Sequence, residues 1–135
     1  MIVSVDTNIL IQASLTDGLP RKVLMYLCKN YELVLSSSVK DEYEDVIRRD
    51  YIISKYKPID ILEIVDYKII ETPKFINKDL FNIRDNKDYI ILYTLINSDT
   101  DVFITNDKDF EDVNIGRPRI ITSKQFFEEF MQWAT

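Results

Sequence analysis

The chain has no histidine and a single cysteine among its 135 residues. The first absence excludes Ser-His-Asp hydrolysis, a histidine general base and any zinc site built on imidazole. The second excludes an all-thiolate zinc site. It also excludes an intramolecular disulfide, which fits a reducing, cytoplasmic setting. Long apolar runs are missing too: no stretch approaches the roughly 20 residues of a membrane span. The opening MIVSVDTN lacks the basic flank and the apolar length of a secretory signal. The expectation is a cytoplasmic protein with no membrane association. Any hydrolytic chemistry must rest on carboxylates, hydroxyls, Lys or Tyr.

Carboxylates are what the chain has in surplus, with 23 Asp and Glu against 17 Lys and Arg and a net charge of −6. All-oxygen sites suit magnesium or manganese. The same balance counts against a generic nucleic-acid binder, which carries a basic footprint. A metal-dependent nuclease escapes part of that objection, because some of its acids are neutralised when metal binds. The length is that of one domain, residues 1–135. With 46% hydrophobic and 30% charged residues it reads as an ordinary globule.

The first stretch sets the pattern. Ile2 to Val5 is a short β-branched run that reads as a buried strand and stops at Asp6, with Thr7 and Asn8 following. Open α/β sheets bind ligands at the carboxyl ends of their strands, so Asp6 stands where a ligand-binding carboxylate would stand. Taken alone, it reads equally as the N-cap of the next helix. That helix runs on from Ile9 to Ala13; a second starts at Pro20, a favoured first-turn position. Leu33 to Leu35 is a second short strand. The order β-α-α-β, with strands apolar on both faces, predicts a parallel sheet covered by helices.

Ser36 to Ser38 then cap a helix whose apolar stripe is Val39, Tyr43, Val46 and Ile47. Glu42 falls on the edge of that stripe, whereas Asp41, Glu44 and Asp45 point to solvent. Glu42 is either an inward acid needing a partner or metal, or a Glu whose stem lies on apolar surface with its head in water. Pro58 is expected to start a further helix through Val65, and Lys68 to Glu71 an edge strand. Asp85 or Asn86 caps a helix with Asp88, Ile91, Leu92 and Leu95 on one face, which places Asp88 in the first turn, where the helix dipole favours an anion. Val102 to Ile104 is a strand ending in Thr105-Asn106-Asp107-Lys108-Asp109, a repeat of the opening grammar. Arg119 to Ile121 is the last strand. Ser123 is expected to cap a final helix whose Phe126, Phe127, Phe130 and Trp133 serve the core.

Asp6 and Asp107 thus end strands, and Glu42 and Asp88 sit near helix N-termini, all on one edge of a parallel sheet. Four crowded carboxylates repel one another, so their convergence predicts one or two divalent cations. Such a pair can activate water and stabilise the leaving oxygen of a phosphodiester.

These stretches resemble the PIN-domain ribonucleases, nearest to the VapC-like toxins of toxin-antitoxin systems. The resemblance spans nearly the whole chain through VDTNIL at 5–10, SSSVKDE at 36–42, RDNKDYIIL at 84–92 and ITNDKDF at 104–110. Asn86 departs from a Pro common in that branch, which touches only the turn. The resemblance implies a three-layer α/β/α fold with a mainly parallel central sheet. It implies Asp6, Glu42, Asp88 and Asp107 as a catalytic, metal-binding quartet, Asp109 as an accessory acid, and Asn8 and Thr105 as hydrogen-bonding supports. The implied activity is Mg²⁺- or Mn²⁺-dependent endoribonuclease cleavage of RNA. A small antitoxin and a homodimeric state are the partners it brings with it. Two other readings stay open: a catalytically inactive PIN-like module binding RNA or protein, and a PIN-like DNA nuclease.

Overall fold

The computed structural model describes residues 1–131, so Trp133 lies outside the described residues. Five strands form one sheet: β1 (Ile2–Val5), β2 (Glu32–Ser36), β3 (Lys68–Ile70), β4 (Val102–Ile104) and β5 (Arg119–Ile121). Their order is β3-β2-β1-β4-β5, and every neighbouring pair is parallel. Register is set around β1, where Val3 lies opposite Leu33 on one side and Val102 on the other. Val3, Ser4 and Val5 are all buried, as are Val102, Phe103 and Ile104. Helices therefore cover both faces, which is why these strands are continuous apolar runs rather than alternating ones.

The helices are α1 (Thr7–Leu15), α2 (Leu19–Asn30), α3 (Ser37–Ile47), α4 (Asp50–Tyr56), α5 (Asn86–Ile96) and α6 (Ser123–Phe126). Pro20 occupies the first turn of α2, where its missing N–H is no loss. Ser36 caps α3, its hydroxyl accepting from the Val39 amide. The stripe of α3 buries Val39, Tyr43 and Ile47, while Asp41 and Asp45 are exposed. Glu44 is not out in open solvent: its side chain is only 28% exposed and bridges Lys40 and Arg48.

Two further expectations need correction. Pro58 starts no helix; only a 3₁₀ turn forms, over Ile61–Glu63. Its amides go to side chains instead, one distant in the chain and one local. The Ile61 N–H donates to the Tyr43 hydroxyl at 3.1 Å, and the Leu62 N–H donates to Asp60 Oδ1 at 3.2 Å. The Tyr43 hydroxyl also shares a 2.7 Å bond with Ser14 and donates to Asp60. The final helix is capped by Thr122, not Ser123. Thr122 and Gln125 form a reciprocal capping box, each side chain accepting from the other's backbone. Phe126 is buried, and Phe127 and Phe130 pack against the core.

Candidate active site

The chain goes from β1 to β2 to β3 on one side, then crosses back to β4 and β5 on the other. The reversal falls between β1 and β4, and a doubly wound sheet opens its ligand crevice at the carboxyl ends of such a pair. Asp6 follows β1 directly and Thr105 follows β4. The two ends are laced together: the Asp6 N–H donates to the Ile104 carbonyl at 2.9 Å. The Thr105 hydroxyl donates to Asp6 Oδ2 at 2.8 Å and accepts the Asp107 N–H at 3.1 Å. Asp6 Oδ1 accepts from the Thr7 amide at 2.8 Å as α1 begins. Asp107 in turn accepts the Asp109 N–H at 2.9 Å, starting a 3₁₀ turn over Lys108–Phe110.

From the other side α3 brings Glu42 and α5 brings Asp88. Asp85 is the cap of α5, accepting from the Lys87 amide at 2.7 Å. A pocket of about 280 Å³ results, lined by Asp6, Thr7, Asn8, Glu42, Asp85, Lys87, Asp88, Ile91, Asp107 and Asp109. Every acid expected at the site is on its wall. Carboxylate oxygens of Asp88, Asp107 and Asp109 all lie within 4.8 Å of one another, and no other such group of three occurs among the described residues. Asp6 and Glu42 stand outside that triad on the same wall. A larger cleft of about 500 Å³ lies beyond Asp107, between Phe110, Ile115 and β5. Its lining adds only Glu111 as a further acid, so chemistry rather than size locates the metal-competent pocket.

The PIN domain family model matches residues 3–109. The chain belongs to the PIN domain family. A search of curated proteins gives no match. Among solved structures, the chain is similar to one in the crystal structure of VapBC2 from Rickettsia felis bound to a DNA fragment from their promoter. The TM-score is 0.64 at 20% identity, over 90% of this chain and 98% of that one, a likeness in fold.

The electrostatics of this PIN domain pocket follow from its crowding. Burial pushes the Asp6 carboxyl up, against the pull of its bonds from Thr105 and Thr7, and Asp107 and Glu42 add repulsion. Asp88 is pushed to about 7, first by desolvation and then by Asp6, Asp85, Asp107 and Asp109. Its side chain accepts no hydrogen bond among the described residues, so nothing offsets that rise. The donor set is all oxygen and over-charged. The Thr7 hydroxyl on the pocket wall is buried without a hydrogen-bond partner. These residues fit a hard divalent cation.

Thr105 sits between Asp6 and Asp107 as expected of a support, whereas the Asn8 side chain lines the pocket without making a hydrogen bond among the described residues. Sequence reasoning missed Thr7 and Lys87 on the wall and gave Asp85 only its capping role. A signal for Lys87 existed: it precedes Asp88 in the first turn of a helix aimed at the site. No helix among the described residues is long and apolar enough to cross a membrane.

Proposed function

We propose that the protein is a Mg²⁺- or Mn²⁺-dependent endoribonuclease whose site is the pocket of Asp6, Glu42, Asp88, Asp107 and Asp109. The observation that carries this reading is the convergence of these five acids from four separate stretches at the switch point of the sheet. Asp88, Asp107 and Asp109 hold the cation, with Asp6 and Glu42 completing the negative wall. When bound, the cation supplies polarisation of a phosphodiester oxygen and a more acidic water. The rest belongs to the chain. Thr105 fixes Asp6 and the turn carrying Asp107, Asn8 offers an unused amide to the substrate, and Lys87 places positive charge at the rim for an incoming phosphate.

Membership of the PIN family and the likeness to VapBC2 support the toxin of a toxin-antitoxin pair, with a small antitoxin as partner. An inhibitory partner suits such a pocket by inserting Arg or Lys, since a guanidinium matches carboxylates in pairs. The test incubates the purified protein with tRNA and mRNA in Mn²⁺ or in EDTA. Cleavage in Mn²⁺ alone, lost in the Asp6→Asn/Asp107→Asn double variant, supports the proposal. No cleavage in Mn²⁺, or cleavage untouched by EDTA, overturns it. Growth arrest on expression, relieved by the neighbouring gene, tests the toxin assignment separately.

A further inference from the structure

The segment from Glu71 to Asp85 joins the end of β3 to the cap of α5, so it runs along the sheet edge that carries the acidic pocket. It is tied to the two helices that carry walls of that pocket, α3 and α5. Near the start, the Thr72 N–H donates to the Ser37 hydroxyl at 3.3 Å, at the N-terminus of the helix bearing Glu42. Further on, Tyr89 of α5 clamps it: the hydroxyl donates to the Asn77 carbonyl and accepts the Leu80 N–H at 3.3 Å. Phe81 stacks on the Tyr89 ring with centroids 4.2 Å apart. Ile76 packs against the core. Between these ties Phe75 stands out with 88% of its surface in solvent, contributing almost nothing to the core.

Lysines flank it closely, although the segment as a whole is balanced, with Lys74, Lys78 and Arg84 set against Glu71, Asp79 and Asp85. Lys74 and Lys78 are exposed on either side of it, Arg84 follows, and Lys87 lies on the pocket wall itself. Among the described residues, Lys74, Lys78 and Lys87 make no ion pair, as is true of most lysines in the chain, so their ammonium groups are open to a phosphate. Arg84 pairs at 3.4 Å with Asp109 of the acidic triad, which ties the segment directly to the site. An open aromatic face with unpaired lysines beside it is the combination that grips single-stranded nucleic acid, the ring stacking a base and the lysines neutralising phosphates. A protein-docking face would need contiguous apolar area. In this segment Leu80 is the one other exposed large apolar residue among those described, and it lies beyond the Asn77 clamp. Tyr51, Ile53, Tyr56, Ile59 and Ile64 are exposed elsewhere, along α4 and the stretch after it.

We propose that the 71–85 segment is the strand-gripping surface of this PIN domain, with a base of single-stranded RNA stacked on Phe75 and flanking phosphates on Lys74 and Lys78. This rests on the ribonuclease reading above for what is bound, but its test separates the two. Anisotropy of a labelled 12-nucleotide oligo(U), measured in EDTA, reports binding without cleavage. Phe75→Ala should weaken binding roughly tenfold and Phe75→Trp should restore it. The Lys74→Gln/Lys78→Gln double variant should make the salt dependence shallower by about 1.4 in log-log slope, the value for two phosphates on a single strand. In Mn²⁺, Phe75→Ala should raise KM and leave kcat alone. Phe75 is so exposed that the variant's melt should match wild type. Unchanged oligo(U) affinity in Phe75→Ala, or an unchanged salt slope in the lysine variant, overturns the proposal. So does loss of a protein partner with RNA binding intact. Loop-dependent binding without any cleavage by the wild type would sink the nuclease reading and keep this one.

Discussion

Asp88→Asn is expected to stabilise the metal-free protein at pH 8 while destroying its response to Mn²⁺. The sign follows from the raised acidity constant. Below about pH 4 the Asp88 carboxyl is protonated in both the folded and the unfolded chain and favours neither. Between the ordinary value of 3.8 and the folded value of about 7, the unfolded chain gives up the proton while the folded chain keeps it. Stability therefore falls as pH rises through that window, and above about 7 the destabilisation is complete. A displacement from 3.8 to about 7 corresponds to ~4 kcal/mol at ~1.4 kcal/mol per tenfold change in acidity. The side chain is half-buried rather than enclosed, and solvent screening reduces this to ~1–2 kcal/mol. For a domain of 135 residues that is a rise in Tm of about 3–8 °C.

Asparagine keeps the shape, and the bond from the Asp88 amide to Asp85 Oδ1 at 3.4 Å does not involve the substituted group. The assay is a thermal melt of both proteins at pH 5 and pH 8 in EDTA, repeated with saturating Mn²⁺. The variant should melt higher at pH 8, and at pH 5 that gain should shrink to roughly a third. In Mn²⁺ the wild type should gain, by ~2.7 kcal/mol at a hundred times Kd, and the variant should gain little. A variant that melts at or below wild type at pH 8 in EDTA would refute the crowding argument. An unchanged Mn²⁺ gain would remove Asp88 from the metal site.

Asp6→Asn, Glu42→Gln and Asp107→Asn should each lower initial rates on labelled RNA by more than about a hundredfold. Glu44→Gln, whose side chain is engaged with Lys40 and Arg48 instead, should stay near wild type; equal losses in Glu42→Gln and Glu44→Gln would contradict the assignment. Thr105→Val removes the bond to Asp6 and the acceptor for the Asp107 amide. It should weaken Mn²⁺ binding by calorimetry roughly 10- to 100-fold, with Thr105→Ser close to wild type. Tyr43→Phe strips the buried hydroxyl shared by Ser14, Asp60 and the Ile61 amide. It should cost ~1–3 kcal/mol in a urea melt and leave the rate per folded molecule unchanged.

Much of this was written locally in the chain. Val102–Ile104 and Arg119–Ile121 were readable to the residue, because short β-branched runs bounded by acids or threonine have few other uses in a protein of this size. The acids lining the pocket were readable because Asp6 and Asp107 follow strands, Asp88 lies in the first turn of a helix and Glu42 on the inner edge of another. A parallel sheet brings those positions to one edge. The segment after Pro58 failed for the opposite reason: its amides are taken by Tyr43 and Asp60, and a partner 18 residues away in the chain leaves no local mark. Thr122 was a plain oversight, since Thr followed three residues later by Gln is a capping-box signature. The 4.8 Å grouping of Asp88, Asp107 and Asp109 was beyond reach. Periodicity places a side chain on a face, not at a distance.

Capping and metal binding at this edge are one arrangement rather than rival explanations. Asp6, Asp85 and Asp107 each spend an oxygen on a backbone amide where a helix or turn begins. The N-terminal dipole favours the charge there, and the sheet brings those termini together. Asp6 has both oxygens engaged, by Thr7 and by Thr105. Asp88 has neither, and it carries the carboxyl raised to about 7. Within the triad of Asp88, Asp107 and Asp109 a cation therefore finds its least committed ligand in Asp88, and must displace a proton to use it. Calorimetric Mn²⁺ titrations in buffers of different ionisation enthalpy count that proton. At pH 6 the wild type should release about one, falling toward zero at pH 8.5, as expected for a carboxyl raised to about 7. Asp88→Asn should release markedly fewer at pH 6. Equal release by both proteins would place the displaced proton on another acid and break the link between Asp88's isolation and its part in holding the metal.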